Sequence, residues 1–420
     1  MVLNLQDLQG KCQCGKTHQL YVKKIAIEAK ALLQVEEFLL EEGIGEKPVL
    51  ICDKNTYNAA GKELYDLIIT EKKDVIILEP NKLHADEEGI KGITDKLKTG
   101  ATVLIAVGAG TIHDLTRYVA KEYDLPFVAV PTAASVDGFV STVAAMTMEG
   151  FKVTYPAVSP IAVFADTNIF SKAPYHLTAS GFADLLGKHT ALLDWEISHI
   201  LTGEYLCNKV VSIEKEAVEK AVEAARDIQS GDHKAYECLM HGLILSGIAM
   251  QMIGNSRPAS GAEHHMSHLW EMHVINEELD ALHGEKVGVA LGIICDEYKK
   301  IIGIDNISDH IRAYNGLPYE ELETTFKKLY PAIIEENTPD VLKDISEDML
   351  VEQFDEIKRR VEQLPSGDQI REILKQVGAK TSLEEIGLEE GILEKSVAFS
   401  PFVRRRITLM RVLKRIKNQK

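Results

Sequence analysis

ATVLIAVGAGTIHD, residues 101–114, reads as a buried strand that runs into a glycine-bearing turn and out again into a helix. From Val103 to Val107 apolar residues follow one another without polar alternation, the pattern of a strand covered on both faces. Gly108 and Gly110 carry no Cβ, so backbone at this turn can approach a phosphate closely. The helix that starts near Thr111 offers unpaired N–H groups and partial positive charge to an anion. The pattern is not G-x-G-x-x-G, because no third glycine follows, and a two-glycine turn also serves as a purely structural joint.

The same form recurs on both sides of this stretch. PVLICD (48–53), DVIILE (74–79) and PFVAVPT (126–132) are short apolar runs, and helical patterns occupy 54–70, 86–98 and 111–123. Strand and helix alternating at this spacing predict a parallel sheet with helical crossovers. The stretch 138–165 is expected to form a hairpin that returns to the sheet, with Gly150 at its turn. From Pro174 onward the pattern is helical throughout, over 175–200, 208–228, 232–253, 261–276, 283–301, 319–335, 347–362, 367–376 and 401–418. The expected architecture is therefore an α/β N-terminal dinucleotide-binding domain, 1–168, followed by an all-α domain, 169–420, that binds metal and substrate.

At 420 residues the chain has room for two or three domains, and its 45% apolar content suffices for a large core. A net charge of −17 argues against nucleic acid as a partner, since phosphate neutralisation needs basic surface. No run approaches the roughly 20 apolar residues of a membrane span, so no transmembrane segment is expected. The start lacks a secretory pattern, and the expected location is cytoplasmic. The basic stretch Arg404–Lys420 is expected to be a helix packed through Ile407, Met410, Leu413 and Ile416, with its charges in water. A weak anionic-membrane patch is the other reading of that stretch. Cys12, Cys14 and His18 stand close together in CQCGKTH, three soft donors that could hold zinc. However, C-x-C lacks the usual two-residue gap and no second pair follows, so a turn or hairpin is the expected structure. The remaining cysteines read as ordinary reduced thiols.

Candidate cofactor residues fall at the ends of the predicted strands. Thr132, Ser135 and Asp137 follow the 126–132 strand, at the edge where open α/β sheets bind ligands. Asp53 ends its strand and either accepts from a ribose or caps the next helix. In the helical half, Asp184 and Lys188 are one turn apart on the predicted 175–200 helix, which suits a functional pair or a plain surface ion pair. His264 and His268, at i and i+4, share a helix face, and His283 opens an apolar helix. Two imidazoles and a carboxylate make a mixed set suited to zinc, nickel or ferrous iron.

Taken together, GAGTIHD, PTAASVDG, GFADLLGKHTALLDWE, RPASGAEHHMSH and LHGEKVGVA resemble the glycerol-1-phosphate dehydrogenase family, particularly its bacterial AraM-type branch. That family is similar in turn to iron-containing alcohol dehydrogenases, glycerol dehydrogenase and dehydroquinate synthase. The resemblance implies a dehydroquinate-synthase-like fold, usually dimeric or larger with a homodimer expected here, and a role in phospholipid metabolism. It implies adenosine ribose on Asp53, pyrophosphate on Gly110, Thr111, Ile112, His113 and Asp114, and the nicotinamide side lined by Thr132, Ala133, Ala134, Ser135 and Ser141. Asp184, His264 and His283 would hold zinc or nickel, with Asp184 and His268 as the catalytic pair. Asp137, Asp184, His268 and Lys188 would meet substrate, and Arg257 is a second candidate for its phosphate. Two departures stand out. Many archaeal relatives read S-H-D-G where this chain has Ser135-Val136-Asp137-Gly138, and the usual glycine triplet is Gly108-Ala109-Gly110.

The activity implied is reversible NAD- or NADP-linked interconversion of dihydroxyacetone phosphate and sn-glycerol 1-phosphate. Asp53 should repel a 2′-phosphate, which favours NAD. The rival readings are a dehydrogenase of glycerol or another polyol, a dehydroquinate-synthase-like lyase, and a cofactor-binding sensor without turnover.

Overall fold

A computed structural model describes residues 4–149 and 151–417; the expected turn at Gly150 lies outside the described residues. The chain forms two compact units, one of Met1–Leu185 with Glu216–Asn255, the other of Leu186–Lys215 with Ser256–Lys420. The sequence reading divides the chain at 168/169 instead. The difference arises because the segment Glu216–Asn255, well past the sheet in chain order, folds into the sheet unit, a placement that chain order does not reveal.

The sheet unit is built on β3 (Lys24–Glu28), β4 (Pro48–Asp53), β5 (Asp74–Leu78), β6 (Val103–Gly108), β7 (Phe127–Pro131) and β10 (Ala162–Asp166). All neighbours are parallel, in the order β3-β10-β7-β6-β4-β5. Every residue of β6, β7 and β10 is buried, which accounts for their unbroken apolar runs. The chain moves outward from β4 to β5, then returns to the other side of β4 as β6. The topological switch therefore lies between β4 and β6, where open sheets open a crevice at their carboxyl ends.

Two expectations are corrected. The predicted hairpin does form, as β8 (Val143–Met148) with β9 (Phe151–Pro156), but it is a separate two-stranded sheet. The strand that returns to the large sheet is β10, beside β3, an edge strand whose sequence KIAIE is too short and mixed to stand out. Ahead of β3, β1 (Gly10–Lys11) and β2 (Thr17–His18) pair antiparallel, as the CQCGKTH reading expects.

Helices α1 (Gly110–Glu122), which follows β6, and α4 (His233–Ile253) belong to this unit. By length and hydropathy α4 is the one described helix that could cross a membrane, yet it is mostly buried inside the protein. The helix α2 (Tyr175–Leu186) closes the first part of the unit. The expected continuous helix 175–200 is broken: after Gly187, α3 (Lys188–Thr202) begins.

The second unit is helical, with α3, α5 (Ala262–Glu271), α6 (His283–Lys299) and further helices at Glu347–Glu362 and Gly367–Gln376. The basic tail differs from expectation. It is broken into short turns, Ser400–Phe402, Leu409–Val412 and Leu413–Arg415, and only some of its charges, Arg405 and Lys417 among them, are exposed to water. Arg411 and Arg415 are buried; Arg411 donates to Asn337 Oδ1 and the Pro401 carbonyl, Arg415 to the Ile345 carbonyl. A guanidinium with several fixed donors can satisfy buried loop carbonyls, which helical periodicity does not predict. Residues 418–420 lie outside the described residues.

Candidate functional site

In the sheet unit a cleft of about 940 Å³ opens at the carboxyl ends of the strands. Its lining includes Asp53 at the end of β4, Ala109 after β6, Thr132 and Ala133 after β7, and Asp166 at the end of β10. The switch crevice and the glycine turn thus coincide. A Cβ on Gly108 would lie 2.6 Å from Ile112, so packing as well as any phosphate favours glycine there, while one on Gly110 would sit tightly at 3.1 Å from the Val136 side chain. Ala109 precedes α1 in extended backbone, φ −94° and ψ −166°, and its methyl costs the turn nothing.

The five residues 110–114 do not present equivalent groups. Ile112 and His113 are buried, and His113 stacks edge-on against Phe139 with centroids 5.0 Å apart. Its Nδ1–H donates to the Ala109 carbonyl at 2.9 Å, and burial pushes the imidazole down to about 3, so it stays neutral. Its backbone N–H is also taken by Ala109 O. The first turn of α1, at Gly110, Thr111 and Ile112, is what remains for an anion. Asp53 performs the capping role that competed with the ribose reading: its Oδ1 accepts from the Asn55 and Thr56 N–H groups at 2.7 and 2.9 Å. It lines the cleft as well.

The loop after β7 is clamped by groups the sequence reading did not single out. Arg117, fully buried, donates to the carbonyls of Gly138, Phe139, Ser141 and Val143 at 2.5–2.9 Å. On α2, a Cβ at Gly181 would fall 2.0 Å from the Ala134 carbonyl; on α4, one at Gly247 would fall 2.4 Å from Val140. Gln251 donates to Val140 O and Ser159 Oγ. Asp137, nearly buried, accepts from Ser246 Oγ at 2.9 Å, and its N–H donates to Asp184 Oδ2 at 3.1 Å. Ser141 Oγ accepts from Val143 N–H within the turn. Buried Ser135 Oγ has no hydrogen-bond partner among the described residues.

In the helical unit three imidazoles converge. His264–His283, His268–His283 and His264–His268 ring centroids are 5.3, 5.7 and 6.0 Å apart. Each of two rings is oriented by a carboxylate. His264 Nδ1–H donates to Glu263 Oε1 at 2.7 Å, and His283 Nδ1–H to Glu271 Oε1 at 2.9 Å. Both rings therefore carry their acceptor lone pair on Nε2, the tautomer a metal ligand needs. Glu263 is itself held by Gly261 N–H and Thr190 Oγ1. Although burial opposes ionisation, the His264 contact and these bonds keep its carboxyl below the usual range. Burial holds His268 well below its usual value, hence neutral. Glu263 and Glu271 adjoin the histidines in SGAEHHMSHLWE, but a glutamate next to a histidine in sequence carries no signal of orientation.

Asp194 anchors this arrangement. Its Oδ2 accepts from Ala262 N–H at the start of α5, and its Oδ1 from Tyr298 OH on α6 and Leu409 N–H in the tail, at 2.6–2.9 Å. Burial pushes its carboxyl up to about 7. Lys188 is fully buried and donates to the Ala259 carbonyl at 3.1 Å. Arg257, the second phosphate candidate, is also buried, and its Nη2 donates to Asp194 O, Ile407 O and Glu204 Oε2.

A family model of iron-containing alcohol dehydrogenases matches residues 26–174. A glycerol-1-phosphate dehydrogenase [NAD(P)+] of Bacillus licheniformis is 34% identical over 410 residues, covering 96% of this chain and 92% of the relative. That of Bacillus velezensis is 40% identical over 311 residues, 71% of this chain and 79% of the relative. Among solved structures, a probable glycerol dehydrogenase from Sinorhizobium meliloti shares the fold, with a TM-score of 0.61 at 16% identity over 93% of this chain and 92% of its own. A two-carboxylate-oriented imidazole cluster, a nucleotide-type cleft and likeness along almost the whole length agree: the chain belongs to the glycerol-1-phosphate dehydrogenase family, within the iron-containing alcohol dehydrogenase fold group.

Proposed function

We propose that the protein catalyses reversible NAD(P)H-linked reduction of dihydroxyacetone phosphate to sn-glycerol 1-phosphate, with one divalent zinc or nickel ion held by Asp184, His264 and His283. The observation that carries this reading is the pairing of Glu263 with His264 and Glu271 with His283, which holds the proton of each ring on Nδ1 and so makes Nε2 the nitrogen with the lone pair. Such carboxylate–imidazole pairs raise ligand basicity and hold ring orientation. The N/O donor set suits zinc and nickel. When bound, the metal supplies Lewis-acid polarisation at the substrate C2 oxygen.

The chain's own residues do the rest. The first turn of α1 and the Thr132–Ser135 loop, with Ser141 supporting its far end, hold the dinucleotide in the cleft. His268, neutral by burial, faces the substrate and passes a proton through bound water or the cofactor ribose. Asp137 keeps its place through Ser246 and orients the substrate hydroxyls. Lys188 meets the substrate phosphate. Alignment of C2 with the nicotinamide and exclusion of water supply the remaining rate. NAD is the preferred cofactor, because Asp53 lines the cleft with negative charge. We take the working form to be a homodimer, as the family resemblance implies, and its location to be the cytoplasm.

The test is NADH oxidation by chelator-stripped enzyme, with zinc or nickel added back, across dihydroxyacetone phosphate, dihydroxyacetone and glyceraldehyde 3-phosphate. Metal-dependent turnover confined to dihydroxyacetone phosphate is expected. Equal turnover of dihydroxyacetone would transfer the protein to the polyol dehydrogenases, and full activity without metal would remove the metal's role.

A further inference from the structure

We propose that the N-terminal hairpin is a second metal site, in which Cys12, Cys14 and His18 bind one soft divalent ion of the zinc class. It uses none of the residues assigned to hydride transfer. The ligand atoms of these three side chains lie within 4.8 Å of one another. Cys14 Sγ and His18 Nε2 are 3.4 Å apart. With zinc–sulfur and zinc–nitrogen bonds of about 2.3 and 2.0 Å, two donors on one tetrahedral ion stand roughly 3.5 Å apart. The hairpin therefore already has a ligand spacing.

The backbone explains how a C-x-C segment reaches it. Gly15, at φ +86°, turns the chain back on itself, and its N–H donates to the Cys12 carbonyl at 3.0 Å. Cys12 N–H in turn donates to the Lys16 carbonyl at 2.9 Å, which closes the β1–β2 hairpin with both thiols near its tip. His18 is buried, and its Nδ1 lies 2.8 Å from the Met252 carbonyl at the end of α4. A carbonyl only accepts, so Nδ1 carries the proton and Nε2 presents its lone pair toward Cys14. The neighbouring Tyr21 N–H donates to Gln251 Oε1 on the same helix. An ion here would pin the hairpin to the helix whose Ser246, Gly247 and Gln251 hold the 137–141 loop, which is a structural role.

The experiment uses the full-length protein, stripped of metal under reducing conditions and reloaded with cobalt(II). Thiolate-to-cobalt charge-transfer absorption should appear in the near ultraviolet, a signal the Asp/His/His set cannot produce because it contains no sulfur. The double variant Cys12→Ser/Cys14→Ser should lose that absorption and one equivalent of bound zinc while still oxidising NADH. In the unaltered protein, zinc should shield Cys12 and Cys14 from alkylation, read by peptide mass, and chelation should expose them. Absence of the thiolate band, its survival in the double variant, or alkylation of both cysteines at the same rate with and without zinc overturns the proposal.

Discussion

Asp53 does two things with one side chain: its Oδ1 caps the helix after β4, and its charge faces the cleft. Asparagine is as good a cap and carries no charge. Asp53→Asn should therefore fold normally and shift the kcat/KM ratio toward NADPH by about tenfold, the equivalent of about 1.4 kcal/mol. Steady-state rates with both cofactors check this; an unchanged ratio would detach Asp53 from the ribose. The glutamates behind the histidines allow an equally local test. Glu263→Gln or Glu271→Gln keeps shape but weakens the hold on the ring proton, so metal affinity should fall by roughly 10–100-fold. Titration of the stripped enzyme with nickel or zinc measures it, and wild-type affinity in both variants would end the orienting role. At this scale the imidazoles were legible, because i,i+4 spacing is a local property. Their orienters were not, since a hydrogen bond depends on rotamers that sequence does not carry.

The element that matters most is the 132–141 loop, and its shape is imposed by neighbours rather than by its own residues. Arg117 holds four carbonyls from one helix, while Gly181 and Gly247 let two others close in to backbone distance. Arg117→Met should leave those carbonyls buried without a donor, costing about 3–5 kcal/mol. Urea unfolding measures the loss, and a raised KM for NADH should accompany it; a loss under about 1 kcal/mol would mean water replaces the guanidinium without penalty. Strands and helices around the loop were readable from the continuous apolar runs of β4, β6 and β7. The place of β10 and the independence of the β8–β9 hairpin were not, because strand pairing is decided by which backbone edges meet.

For the molecule as a whole, Asp194 couples folding to pH. An unfolded aspartate ionises near its ordinary value of 3.8, whereas burial keeps this one protonated to about 7. Between those values the folded state holds a proton the unfolded state has released, so this group's contribution is full at low pH and fades as pH rises toward 7. Asp194→Asn removes the titration and also one good acceptor for Tyr298, Ala262 or Leu409, at about 1–3 kcal/mol. The stability gap between wild type and variant should thus be widest near pH 4 and narrow toward pH 7, as denaturant titrations across that range would record. A gap that widens with pH would contradict the protonated state.

Sequence by itself determined the parallel sheet, the helical remainder, the glycine turn and the identity of Asp184, His264 and His283 as candidates. These rest on periodicity, on the absence of a Cβ, and on donor chemistry, all properties of residues and near neighbours. Only the tertiary structure decided that Asp53 is a cap, that His113 is buried and neutral, that Arg257 is buried with its Nη2 on Asp194, Ile407 and Glu204, and that Arg411 and Arg415 of the basic tail turn inward. It likewise decided that Glu263 and Glu271 orient the imidazoles. In each case the deciding partner lies far along the chain or depends on side-chain direction, and burial then sets whether a charge is paired, neutralised or left for a ligand.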